Sequence, residues 1–149
     1  MRVAAGLAAL MLAACQPDAP AKIVVTDGWA RATAPGQDSA AGYLRLENRG
    51  GGDRLVAVRS SLGRATLHRT TVEEGVSRMR ELTDGIEIGA GQAVELAPGG
   101  AHIMLTGLTA SLRSGERVPL VFSFRRSGDI RSSLAVREAG AMTGGHDGH

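Results

Sequence analysis

Apolar residues in this chain recur at every second position and almost nowhere at every third or fourth. Leu44 and Leu46 alternate with Tyr43, Arg45 and Glu47. Ala65 and Leu67 alternate with Thr66, His68 and Thr70. Val118, Leu120, Phe122 and Phe124 alternate through the longest run. A period of two puts all residues of one class on one face of a strand, whereas a helix needs a period near 3.6. No stretch holds the helical period over three turns. The alternating runs are short and are separated by turn signals: Ala34-Pro35-Gly36, Asn48–Asp53 with three consecutive glycines, Glu74-Gly75, Asp84-Gly85, Gly89-Ala90-Gly91, Pro98-Gly99-Gly100 and Ser127-Gly128-Asp129. Roughly nine or ten short strands so punctuated predict an all-β domain, an antiparallel sandwich or barrel.

The 149 residues suit one domain, and 43% hydrophobic against 21% charged residues reads as globular. The formal charge is only +2, and the arginines are scattered from Arg31 to Arg137 without a dense run. Solvated strand faces account for them, and no nucleic-acid partner is expected.

The first residues read as an address. Met1-Arg2 is a short positive start, and the apolar run Val3–Leu12 is too short to span a bilayer. Leu12-Ala13-Ala14-Cys15 follows and resembles a bacterial lipobox, in which cleavage leaves the cysteine first and lipidated. Residues 1–14 are therefore expected to be a lipoprotein signal peptide, with lipidation at Cys15. Residues 15–22, with Pro17 and Pro20, are expected to be a tether between anchor and domain. By resemblance to Gram-negative lipoproteins, Gln16 after the cysteine favours the outer membrane, with the protein working in the periplasm. The folded domain is expected over residues 23–138. Residues 139–149, Gly-rich and unpatterned, read as a mobile tail.

The chemistry concentrates in few residues. Between Lys22 and Glu138 there are two histidines, His68 and His102, and two methionines, Met79 and Met104. In Ala101-His102-Ile103-Met104-Leu105 the His and Met share one strand face while Ile103 and Leu105 take the other. His68 shares a face with Thr66 and Thr70, and Met79 with Ser77 and Glu81, on two strands joined by a tight turn. All four thus occupy the face that is not the obvious core. A lone Met is ordinarily a packing residue and a lone His ordinarily a hydrogen-bonded one. The pairing is what points elsewhere. Thioethers are soft, neutral ligands, poor for Zn²⁺, Mg²⁺ or Ca²⁺ and suited to Cu(I). Two imidazoles and two thioethers leave a bound Cu(I) its single positive charge, in a site able to release it to a better donor set.

On these residues the chain resembles the periplasmic copper chaperones of the PCu(A)C family, whose signature is His, ten residues, Met, about twenty-one residues, then His-x-Met. Here ten residues separate His68 from Met79, and twenty-two separate Met79 from His102. Asp27-Gly28-Trp29-Ala30-Arg31-Ala32, Ala41-Gly42-Tyr43-Leu44, Arg78-Met79-Arg80 and Pro98–Leu105 are similar as well. The resemblance implies a cupredoxin-like β-sandwich with Greek-key connections, a monomer, binding one Cu(I) through His68, Met79, His102 and Met104. It further implies delivery of copper to the CuA or CuB sites of a haem-copper oxidase, to an oxidase subunit directly or alongside a Sco-type copper protein. The lipobox departs from the many family members that are soluble. Met142, His146 and His149 resemble Met/His-rich extensions implicated in Cu(II) binding.

Other readings meet specific obstacles. An electron-transfer cupredoxin needs a Cys thiolate ligand, and the only cysteine is Cys15. Two domain histidines are too few for a superoxide dismutase, and no acid/base or nucleophilic constellation marks an enzyme. An envelope lipoprotein for copper sequestration or resistance without specific delivery remains an alternative. So does one whose His and Met merely pack, though that reading must explain their shared polar face.

Overall fold

A computed structural model describes residues 19–138. Cys15, Met142, His146 and His149 lie outside the described residues. Ten strands occupy the domain: β1 (Ile23–Arg31), β2 (Ala40–Asn48), β3 (Asp53–Arg59), β4 (Arg64–Glu73), β5 (Val76–Glu81), β6 (Ile86–Ile88), β7 (Ala93–Leu96), β8 (Ala101–Thr106), β9 (Arg117–Phe124) and β10 (Gly128–Arg137). No helix occurs among the described residues. The strands form one hydrogen-bonded path, β5-β4-β8-β2-β1-β10-β9-β3-β6, with β7 also on β2.

Every pairing is antiparallel except one. β1 runs parallel to β10, with Trp29 opposite Ala135. Alternation reports which residues share a face and carries no information about strand direction. β2 is flanked by three strands: β1 along one edge, β8 at Ala40–Gly42 and β7 at Leu44–Glu47 along the other.

A sheet of this width buries its apolar side by curling on itself. Leu44 and Leu46 of β2, Leu67 of β4, Ile103 and Leu105 of β8, Leu55 of β3 and Leu134 of β10 meet in one core with Val118, Leu120, Phe122 and Phe124 of β9. The inward residues expected from alternation are the buried ones. β1 carries a bulge at Asp27-Gly28, where the register against β2 shifts between Thr26 and Trp29 and Asp27 takes a φ of 54°. The extra residue twists the strand locally.

The β4–β5 hairpin fixes the register that matters for function. Its loop is Glu74-Gly75, with φ of 52° and 76°, the two positive values that a two-residue type I′ turn demands. That loop makes Glu73 face Val76, Thr70 face Met79 and His68 face Glu81. Every residue of β5 is exposed, and β5 is the terminal strand of the path.

The described end of the expected tether lies on the domain. Arg126 Nη2 donates to the Ala19 carbonyl at 2.9 Å, Gly51 N to the Pro20 carbonyl at 3.1 Å, and Arg49 N to the Lys22 carbonyl at 2.8 Å. A Cβ at Gly50 would fall 2.1 Å from the Pro20 oxygen, so the glycine-rich loop is the shape that lets this segment lie down.

Candidate metal centre

β4 and β8 are neighbours in register, with His68 opposite His102 and Thr66 opposite Met104. Because β5 pairs with β4 through Thr70 and Met79, the parity of both pairings puts His68, Met79, His102 and Met104 on one face of the β5-β4-β8 sheet. The four residues singled out by sequence therefore come together on a single surface. Their core-facing alternates, Leu67, Ile103 and Leu105, are buried on the other side.

The tightest contact is between β8 and β5. His102 Nε2 lies 3.3 Å from Met79 Sδ. The other ring nitrogen, Nδ1, lies 3.1 Å from the Gly100 carbonyl oxygen. A carbonyl only accepts, so Nδ1 carries the hydrogen and donates it. Neutral His102 then presents a bare Nε2 lone pair to the Met79 thioether, which has only lone pairs to offer in return. Two soft-to-borderline donors thus face each other without a hydrogen between them. First-row bonds of about 2.0 Å to nitrogen and about 2.3 Å to sulfur put two such donors about 3.5 Å apart across a tetrahedral angle. The observed separation needs little adjustment to admit an ion.

His68 is the second imidazole. Its ring centroid is 6.0 Å from that of His102, with the planes 27° apart. Its Nε2 lies 2.9 Å from Thr66 Oγ1, while its Nδ1 is buried without a hydrogen-bond partner. An unpartnered buried ring nitrogen is costly in a dry core and natural beside a ligand position. Met104, partly buried, stands opposite Thr66 and Ala41 on the same face.

Exposure is divided unevenly across the four. His102 is 6% exposed and Met79 51%. Beside Met79 and His68, His102 has an aromatic neighbour from the first strands of the chain. Tyr43 of β2 lies with its ring centroid 6.4 Å from His102, Trp29 of β1 lies 4.6 Å from Tyr43, and the Arg137 guanidinium sits 5.6 Å above Trp29. Sequence reasoning assigned neither Thr66 nor Gly100 a part here. The signal for Gly100 was its place two residues before His102 in a turn, and for Thr66 its place two residues before His68 on the same face. Among the described residues, no group of three or more His, Cys, Asp or Glu could hold a metal. The further donors that share this face with the two imidazoles include the thioethers of Met79 and Met104.

The comparisons with known proteins fit this geometry. A family profile described as "Putative lipoprotein LpqE-like" matches residues 23–136. A protein of Leifsonia xyli subsp. xyli described as "Putative lipoprotein Lxx21020" is 32% identical over 118 residues, covering 78% of this chain and 70% of that protein. Among solved structures, a copper-bound PCuAC domain from PmoF2 superposes with a TM-score of 0.65 at 25% identity, covering 78% of this chain and 93% of that one. The solution structure of CuI-DR1885 from Deinococcus radiodurans gives a TM-score of 0.58 at 25% identity, covering 76% of this chain and 78% of that one.

Proposed function

Because this chain belongs to the LpqE-like lipoprotein family and shares the fold of PCuAC domains, we propose that it is an extracytoplasmic Cu(I) carrier. His68, Met79, His102 and Met104 hold the ion as cargo. The observation that carries this reading is the pair His102 Nε2 and Met79 Sδ at 3.3 Å, with the Nδ1 hydrogen already committed to Gly100. The copper-bound PCuAC domain from PmoF2 supports the choice of metal, and CuI-DR1885 that of oxidation state. Neutral soft donors favour Cu(I) over harder divalent ions.

The carrier delivers its copper toward the CuA or CuB sites of a haem-copper oxidase, to an oxidase subunit or through a Sco-type copper protein. It acts as a monomer and catalyses no reaction. Exposed Met79 favours handover over sequestration, because an approaching donor can displace an exposed thioether first. Cys15 tethers the protein to a membrane in the periplasm. The outer membrane as the site of that anchor rests on Gln16. Met142, His146 and His149 add a weaker position for Cu(II).

Anaerobic titration of the unlipidated domain against a colorimetric Cu(I) chelator tests the reading. The expected result is one colourless Cu(I) per domain, lost in His102→Ala. Failure to compete with a chelator of moderate affinity overturns it, and an intense blue Cu(II) form would favour electron transfer.

A further inference from the structure

Thr66 stands on β4 two residues before His68 and opposite Met104 of β8, and its hydroxyl has two neighbours. Oγ1 lies 2.9 Å from His68 Nε2 and 3.5 Å from the Met104 carbonyl oxygen. The carbonyl only accepts, so the hydroxyl hydrogen points to Met104 and Oγ1 accepts from His68 Nε2–H. The reverse arrangement would leave Nδ1 as a buried N–H with no acceptor, and orphaned buried N–H groups are rare. His68 Nε2 is thereby the protonated nitrogen and Nδ1 the bare one. In His102 the Gly100 carbonyl enforces the opposite choice, with Nδ1–H donating and Nε2 bare.

We propose that Thr66 is a positioning residue that holds His68 in the Nε2–H tautomer, so that the two histidines take copper through different ring nitrogens: His68 through Nδ1 and His102 through Nε2. The inference rests on the Cu(I) reading for its second half only, because the tautomers exist before any metal binds. A ligating imidazole ordinarily donates its other N–H to an oxygen that fixes ring orientation. Thr66 Oγ1 supplies that oxygen for His68 as the Gly100 carbonyl does for His102. The same hydroxyl donates to the Met104 carbonyl, so one side chain couples the ring of His68 to the strand that carries His102 and Met104.

Long-range ¹⁵N–¹H correlation of the two rings tests this in the whole domain. In copper-free protein the expected pattern is Nε2–H for His68 and Nδ1–H for His102. On loading with Cu(I) the coordinated nitrogens are expected to be His68 Nδ1 and His102 Nε2. Thr66→Val keeps a β-branched side chain in the strand and removes the hydroxyl. It is expected to weaken Cu(I) binding by roughly ten- to a hundred-fold with the stoichiometry unchanged, and Thr66→Ser is expected to restore it. His68 found as the Nδ1–H tautomer, or coordinated through Nε2, overturns the proposal. So does a Thr66→Val domain that folds and binds as wild type. A wild-type domain that takes no Cu(I) overturns the carrier reading instead, and the copper-free spectrum then decides the tautomer alone. If Thr66→Val does not fold, the wild-type spectra still decide both halves.

Discussion

Moving one sulfur atom across the β5 strand separates ligand chemistry from stability. Met79 faces Thr70 on the imidazole side, while Arg80 faces Arg69 on the reverse side. The double substitution Met79→Ser with Arg80→Met keeps a thioether in the strand but turns it to the opposite face. Every β5 residue is exposed, so side-chain changes there shift stability by only about 0.5 kcal/mol. The substitution also breaks up one pair of like charges standing directly opposite, Arg69 and Arg80, which contributes roughly 0.2–1 kcal/mol in favour of the variant. Copper-free protein should therefore be as stable as wild type or more so, by at most about 1 kcal/mol. Cu(I) affinity should move the other way. Losing a partner that merely orients a ligand costs about 10- to 100-fold, so losing a ligand should cost about 100-fold or more, near 2.8 kcal/mol. Thermal melts and anaerobic chelator competition on the same samples read both quantities. Wild-type affinity in the double variant would remove Met79 from the site. A loss of stability well beyond 1 kcal/mol would show that the register of the hairpin is wrong.

Three further outcomes follow from other parts of the fold. His102→Ala empties a buried position and removes the ring's hydrogen bond to the Gly100 carbonyl, which keeps only the one from Thr70 N–H. It should lower stability by about 2 kcal/mol as well as abolish copper binding, unlike the Met79 exchange, and chemical denaturation measures the difference. Gly50→Ala puts a methyl group against the Pro20 carbonyl and should release residues 19–22 from the domain. Faster amide exchange at Gly51, whose N–H bonds Pro20, would report it, and unchanged protection there would refute the docking. Asp53 is buried, which raises its pKa, but Ser127 Oγ at 2.6 Å and the backbone N–H groups of Arg126, Arg54 and Ser127 outweigh that and hold it below its ordinary 3.8. Its stabilisation is fully present above that value and is lost as pH falls through the lower folded-state value. Asp53→Asn should cost about 1–3 kcal/mol near neutrality, and its melting temperature should converge on that of wild type in acid. A constant gap down to the lowest pH at which both fold would refute this.

Parity was the legible quantity in this sequence. Alternation through Leu44 and Leu46, or from Val118 to Phe124, fixes which residues face the core, and the burial of those positions follows. Parity also survives a tight turn. Glu74-Gly75 is a two-residue loop, so the face of His68 determines that of Met79. Strand direction and order are not parity, and the parallel β1–β10 pairing left no trace in the spacing. The same limit hid part of the surroundings of His102. Its face was separated from that of Ile103 and Leu105, but one of the rings beside it is Tyr43, itself packed on Trp29, more than fifty residues earlier in the chain. Thr66 and Gly100 act through distances across strands or within a turn, and residue type alone does not reveal these. The Pro-containing stretch before Ile23 reads as a linker by composition. Its hydrogen bonds are supplied by the loop after β2 and by Arg126, so its docking could only be seen once the fold had brought those elements beside it.

The uneven exposure of the four residues bears on how copper would leave. His102 is held by a carbonyl on its far nitrogen and by Tyr43 on its flank. Moving it would break a hydrogen bond inside the protein and open buried surface. Met79 sits on an exposed terminal strand, with three rotatable side-chain bonds and half of its surface open to solvent. Of the two donors facing each other at 3.3 Å, one is fixed and the other can swing away at little cost. Were copper held between them as proposed, an incoming thiolate or imidazole would meet it from the β5 side, displacing sulfur while nitrogen still held. A copper ion passed in that order would never lose all its donors at once, which would keep the exchange barrier low without requiring the ion to be weakly bound at rest.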